Sequence, residues 1–212
     1  MRVLAISQPE YSDHLDLIKD MHRLRRRVFK DRLNWEVSVA GDMEVDPYDA
    51  LGPTYLIGIT PADQVVACVR LLPTTGAYML ANTFPALLGG IAPPRDLALF
   101  ESSRFCIDTE GAAEIGEKGL RQATFVLFAA VLEWGLAREL RGIATVTDLR
   151  MERILKRAGW ILERYAAPLA IGNTQAVAGR LPVTASALDG MRRAGNLDGP
   201  ALMPPRTHTL AA

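Results

Sequence analysis

A chain of 212 residues that is 49% hydrophobic and 23% charged is expected to fold as one domain of ordinary to large size with a substantial core, which excludes disorder. Lys plus Arg and Asp plus Glu both number 24, so no global charge draws the chain to nucleic acid or to an anionic membrane. Two cysteines, Cys68 and Cys106, lie in apolar strand-like segments and read as small buried thiols of a reducing compartment; His14, His22 and His208 are too scattered to suggest a metal site.

Residues 2 to 6 predict a first strand. Ser12 or Asp13 can cap a helix running to about Arg32, because Leu15, Ile18, Met21, Leu24 and Val28 recur on one helical face. The opening MRVLAISQPEYSDHLD turns polar too soon for a secretory leader. Residues 34 to 53 are irregular, acidic and rich in Gly and Pro. TYLIGIT, PADQ and VVACVRLLP then read as strand, turn and returning strand. A short helix is expected near FPALL, a break at IAPPRD, and a strand at LALFESSRFCID. Residues 118 to 140 predict a long helix, with Arg138 and Arg141 near its end and Gly142 as its stop signal. Its apolar run, ATFVLFAAVLEWGLA, contains Glu133 and falls short of the ~20 residues that span a bilayer, so the expected location is the cytoplasm. GIATVTDL is a strand, RMERILKRAG a helix ended by Gly159, residues 168 to 179 a late strand and 184 to 193 a last helix. Residues 196 to 212, rich in Gly and Pro, are expected to be a loose tail, leaving 1–195 as the domain. A hairpin meander followed by alternating strands and helices predicts an α/β protein with one mixed central sheet and helices on both faces. No GxGxxG follows a strand, so nothing suggests a dinucleotide fold.

Charges inside these strands need an explanation. Arg70 lies on the face of Val66, Cys68 and Leu72 by strand alternation, where an unpaired guanidinium is costly. Glu101 and Arg104 are three apart and would point to opposite faces of a regular strand. A β-bulge near Ser102–Ser103 would bring them together, and bulges occur beside active sites. EVDPYD adds Glu44, Asp46 and Asp49 on a loop, and the first helix adds Arg25, Arg26 and Arg27, then Phe29 and Trp35. Ion pairs tying a loop to a sheet edge account for any one of these equally well. As a set they read better as a polar site in an α/β cleft for a small zwitterionic or cationic ligand. Carboxylates can hold or deprotonate an amine, guanidiniums can bind a carboxylate bidentately, and aromatics can pack on a cation.

Four blocks, RLRRRVFKDRLNWEV, GDMEVDPYD, CVRLLPTTGAYML with FPALL, and ESSRF, resemble in order the acyl-homoserine-lactone synthases of the LuxI type. The resemblance continues through TVTDLRMERILKRAGW and AIGNTQAVAGRLP. The family's motif residues fall on Arg25, Phe29, Trp35, Asp46, Asp49, Arg70, Phe84, Glu101 and Arg104. Asn34 stands where a Gly often precedes the Trp, and Ser102 where a Leu is frequent; both bear on loop shape rather than on charge.

The resemblance implies a single-domain, three-layer fold like that of the GNAT acyltransferases. It implies synthesis of an N-acyl-homoserine lactone signal from S-adenosylmethionine and a fatty acyl chain on acyl carrier protein, or in some members on coenzyme A. S-Adenosylmethionine is a substrate, and no cofactor or metal is implied. By this resemblance Glu101 accepts the amine proton, directly or through water. Arg104 orients Glu101 or the substrate carboxylate, and Arg70 pairs with Asp46 or Asp49, which order the loop or bind the nucleotide and amine. Arg25, Phe29 and Trp35, with Phe84 and Ser103, close over S-adenosylmethionine. An apolar acyl tunnel is expected from Met79, Leu99, Phe100, Phe125, Leu127, Phe128 and Leu155, each of which also reads as plain core. Thr145, with Thr147 as fallback, stands where the family places a Thr that favours 3-oxo chains by donating a hydrogen bond. Arg150, Arg153, Lys156 and Arg157, at helical spacing, are the candidate docking face for the acidic carrier protein, or simply a solvated face.

Two other readings stay open. One is a GNAT enzyme acylating another amine from acyl-CoA; its pyrophosphate loop is poorly matched by AEIGEKGLRQA, where Gly116 and Gly119 are present but the spacing differs. The other is a non-catalytic, ligand-binding member of the fold.

Overall fold

The computed structural model describes residues 1–109 and 119–204, with only the backbone of residues 119 and 120. Gly116 of the proposed pyrophosphate loop and the last eight residues of the expected tail lie outside the described residues. The strands are β1 (Arg2–Ile6), β2 (Val39–Ala40), β3 (Met43–Glu44), β4 (Thr54–Ile59), β5 (Val65–Pro73), β6 (Leu99–Ile107), β7 (Gly142–Asp148), β8 (Glu163–Arg164), β9 (Leu169–Ile171) and β10 (Thr174–Pro182). The helices are α1 (Leu15–Arg25), α2 (Met79–Asn82), α3 (Gly119–Leu136), α4 (Leu149–Arg157) and α5 (Ala185–Gly195). Among the described residues no helix is long and apolar enough to cross a membrane.

One sheet runs in the order β1-β4-β5-β6-β7-β10-β8, with β9 also on β10. All neighbours are antiparallel except β6 and β7, which are parallel. Val69, Leu71, Ile107, Ile143 and Val177 point to one face and build the larger core with α3. On the other face Ile57, Cys68 and Cys106 pack with Met21 and Leu24 of α1, and Leu72, Leu99 and Ala144 pack with Leu80, Leu87 and Leu88. This face therefore holds two apolar clusters, and the functional side chains fill the interval between them. Cys68 and Cys106 are free thiols facing each other across β5 and β6, 3.3 Å between sulfurs.

Several boundaries differ from expectation. Neither Ser12 nor Asp13 caps the first helix: a 3-10 turn at Gln8–His14 leads into it, opened by Ser7, whose amide and hydroxyl both donate to the Glu10 carboxylate. Past Arg25 it widens, with Leu33 and Trp35 amides reaching back to the carbonyls of Val28 and Phe29. Such wide turns recur at functional sites. Gly142 does not stop α3: the helix ends at Leu136, Glu139 takes the left-handed turn, and Gly142 opens β7. The late strand is two, β9 and β10, joined by a turn at Gly172. Nor is the tail loose over its described part. Val3 exchanges backbone hydrogen bonds with Ala201 and Met203, and the carboxylate of Glu133 accepts from the amides of Ala201 and Leu202. A helix carboxylate supplies bonds that the Gly/Pro composition does not announce.

Candidate active site

The site begins with one extra residue. Between β5 and β6, Cys68 pairs with Cys106 and Arg70 with Ser103, so Val69 alone faces two residues, Arg104 and Phe105. Arg104 takes the left-handed conformation, φ 55°, which a side chain of this size rarely adopts. This is the expected bulge, placed one to two residues later than Ser102–Ser103. It puts Glu101, Ser103 and Arg104 on the same face while Phe105 turns to the other.

Across three strands, Tyr55, Arg70 and Ser103 share one rung. Arg70 donates through Nε to Ser103 at 3.0 Å and through its terminal nitrogens to Asp46 and Asp49. Arg25, fully buried, forks onto Asp49 at 2.7 and 2.9 Å and reaches Glu44. Arg104 donates to Glu44 at 3.0 Å and approaches Asp46 at 2.8 Å. Three guanidiniums and three carboxylates thus form a continuous network. Buried charges require this mutual pairing, since each alone would be strongly destabilising. The acidic loop is shaped for it: Asp46 accepts from the Tyr48 amide and Asp49 from the Asp46 amide, closing the turn at Pro47–Leu51.

Electrostatics follow from these contacts. Burial alone would raise the Asp49 carboxyl, but the hydrogen bonds and charges of Arg25 and Arg70 outweigh it and hold it well below the usual range. Tyr55, raised by burial and by Asp49, stays protonated and donates to that carboxylate at 2.7 Å. Burial and the nearby Arg25 lower His22, whose Nδ1 lies 2.8 Å from the Glu44 carbonyl. With so many donors, Asp49 is an ordering group rather than a base. Glu44 is the residue that sequence reasoning left on the loop without a role. It is fully buried, and the only legible signal was its place in GDMEVDPYD.

Glu101 stands apart from the network. Its two oxygens accept from the amides of Met79, 2.8 Å, and Leu80, 2.6 Å, at the start of α2. The expectation that Arg104 orients Glu101 is therefore corrected: Arg104 serves Glu44 and Asp46, and backbone amides hold Glu101. Burial raises its carboxyl to about 7 against those two hydrogen bonds. A carboxylate titrating near neutrality in a held orientation is suited to general base work.

Arg25 does not close over a ligand; it lies beneath the network, with no exposed surface. Phe29 and Trp35 stack at 5.2 Å, and the Arg104 guanidinium lies 5.5 Å from the Phe29 ring. Trp35 is 41% exposed, so this pair presents an aromatic surface beside the charges. Asn34 has φ 53°, which explains why a Gly suits this position and an Asn replaces it: both accept left-handed backbone. Phe84 packs at the edge of the cluster formed by Tyr78, Leu80, Leu87 and Leu99.

The parallel pair β6 and β7 stays in register from Leu99–Gly142 to Ser102–Thr145, although both strands continue beyond. Thr145 sits at this last rung, its hydroxyl donating to the Ser102 carbonyl at 3.2 Å. The expected tunnel residues divide between the two faces. Met79 and Leu99 lie on the side of Glu101, while Phe100, Phe125, Leu127, Phe128 and Leu155 belong to the core under α3. Arg150, Arg153, Lys156 and Arg157 are exposed on α4, whose Leu155 faces inward.

An antiparallel meander that passes into a parallel pair parting beside a buried carboxylate defines a GNAT-like acyltransferase fold. Residues 10–190 match the family model described as autoinducer synthase. A probable acyl-homoserine-lactone synthase of Sinorhizobium fredii is 46% identical over 194 residues, 92% of this chain and 93% of the relative. The crystal structure of the acyl-homoserine-lactone synthase LasI superposes with a TM-score of 0.79 at 36% identity, covering 96% and 98% of the two chains. That of BjaI, a CoA-dependent acyl-homoserine lactone synthase with S-adenosylmethionine and isopentyl-CoA, shares the fold with a TM-score of 0.85 at 23% identity, over 95% and 92% of the chains. The chain belongs to the autoinducer synthase family, the acyl-homoserine-lactone synthases, and is an acyltransferase.

Proposed function

We propose that the protein joins S-adenosylmethionine to a fatty acyl group carried as a thioester on acyl carrier protein. Glu101 takes a proton from the substrate ammonium, directly or through water, and the free amine attacks the thioester carbonyl and expels the carrier thiol. The methionyl carboxylate then attacks its own γ-carbon. The carbon–sulfur bond breaks, methylthioadenosine leaves with the electron pair, and the lactone closes. The observation that carries this reading is Glu101: a buried carboxylate, fixed by two amides and titrating near neutrality, beside guanidiniums able to hold a carboxylate and next to the fork of β6 and β7.

The thioester lies at that fork, and its chain runs toward Phe125, Phe128 and Leu155 past Thr145. Thr145 can turn its hydroxyl from the Ser102 carbonyl to a 3-oxo group, favouring 3-oxo chains. The exposed arginines and Lys156 of α4 dock the acidic carrier. Trp35 and Phe29 face the substrate's nucleoside and sulfonium, with Phe84 near the same mouth.

Mass spectrometry of a reaction holding the protein, S-adenosylmethionine and a panel of acyl carrier protein and CoA thioesters tests this. A product with the homoserine-lactone fragment supports the proposal and names chain and carrier; acylation of another amine instead would refute it. Because the base must be ionised, kcat/KM is expected to rise with pH and level off above about 7. A flat profile from pH 5.5 to 8.5 would remove Glu101 from that role.

A further inference from the structure

Two guanidiniums of the network also aim an N–H at one shared atom, Arg70 through the Nη2 that bonds Asp46 at 3.0 Å and Arg104 through Nη1. Arg70 Nη2 donates to Sδ of Met79 at 3.1 Å, and Arg104 Nη1 donates to the same sulfur at 3.6 Å. Among the described residues that sulfur is the only acceptor for Arg104 Nη1. The amide of the same residue donates to Glu101. One side chain therefore joins the base to both guanidiniums, and it covers them: Arg70 has no exposed surface, and Met79 itself is only 7% exposed.

A thioether is a weak acceptor, so for the fully buried Arg70 and the part-buried Arg104 these bonds to sulfur are poor beside those they make to carboxylates. A ligand carboxylate would satisfy both donors far better. It would bring its α-ammonium close to Glu101, because the two groups of an amino-acid head are only one carbon apart. We infer that Met79 is a positioning residue acting as a gate: its sulfur holds the place of the substrate's methionyl carboxylate on Arg70 and Arg104, and yields that place when S-adenosylmethionine binds. This rests on the reading of S-adenosylmethionine as substrate given above. Met79 is flexible enough to leave, with an unbranched chain and three rotatable bonds.

The gate competes with the substrate, so changing its strength must change affinity with opposite signs. Met79→Leu keeps the volume and removes the acceptor; the dissociation constant for S-adenosylmethionine, read by titration calorimetry on the full-length protein, is expected to fall about threefold. Met79→Gln supplies a stronger acceptor, and the constant is expected to rise about tenfold. Circular dichroism establishes that each variant is folded. KM for the acyl thioester should move much less than the S-adenosylmethionine constant in both variants. Shifts of the same sign in the two variants, no shift, or a change confined to the acyl thioester would overturn the gate and leave Met79 as a packing or acyl-chain residue. Wild-type protein that fails to bind S-adenosylmethionine at all would instead overturn the functional reading, and the gate with it.

Discussion

Glu101→Gln is expected to lower kcat by about 10²–10⁴ while the protein still folds. The side chain is 1% exposed and accepts two amides, so the substitution also has a structural effect. The carboxamide offers one acceptor where the carboxylate offers two, and its NH₂ meets the N–H of Met79 or Leu80; losing that bond costs about 1–3 kcal/mol. An opposing effect depends on pH. In the folded protein the carboxyl is raised from its ordinary 4.5 to about 7. The folded state therefore holds its proton more tightly, and the stability this confers is full below pH 4.5 and lost as pH rises through 7. The loss is about 3 kcal/mol. Urea unfolding at pH 5 and pH 9 should show this fall in the wild type and its absence in Glu101→Gln. A variant with the wild-type pH trend would mean that another group titrates, and substantial residual turnover would remove Glu101 as the base.

Asp49→Ala is expected to be the most destabilising change at the site, by about 3–5 kcal/mol, because it strips a carboxylate from two guanidiniums that have no exposed surface. A melting temperature lower by roughly 10 °C is the direct readout. Asp49→Asn separates charge from shape: it can still accept from Tyr55 but cannot balance Arg25 and Arg70. The folded carboxyl lies below its ordinary 3.8, so its stabilisation is present above that value and disappears as pH falls through the folded one. Asp49→Asn should therefore lose most of its stability at neutral pH and respond less to acid than the wild type. Equal stability of the two proteins at pH 7 would contradict the paired network.

The sequence made the strands legible where their own residues decide, as in the hairpin of β4 and β5 and the apolar α3. Arg70, Glu101 and Arg104 were conspicuous as charges among apolar neighbours, and the need for a bulge followed from their spacing. What could not be read was which charge meets which. Glu44 and Arg25 look like surface residues in a loop and a basic helix, and only the packing of α1 on the sheet buries them together. Amides from α2, fixed by how the chain turns after β5, hold Glu101, and no side-chain pattern announces that. The tail misled for a similar reason: composition does not reveal that Glu133, most of a chain length away from Val3, would anchor Ala201 and Leu202.

The bulge at Arg104 and Phe105 makes this site depend on residue count as well as residue identity. After it, Cys106 returns to the face of α1 and Ile107 to that of α3. Deleting Phe105 would restore a regular strand: Cys106 and Ile107 would keep their faces opposite Cys68 and Ala67, but Arg104, left alone opposite Val69, would point into the core under α3. Every side chain of the network could be kept and the guanidinium would still no longer share a face with Glu101. A one-residue change in the length of β6 at this point would thus dismantle the site without altering any of its charged residues.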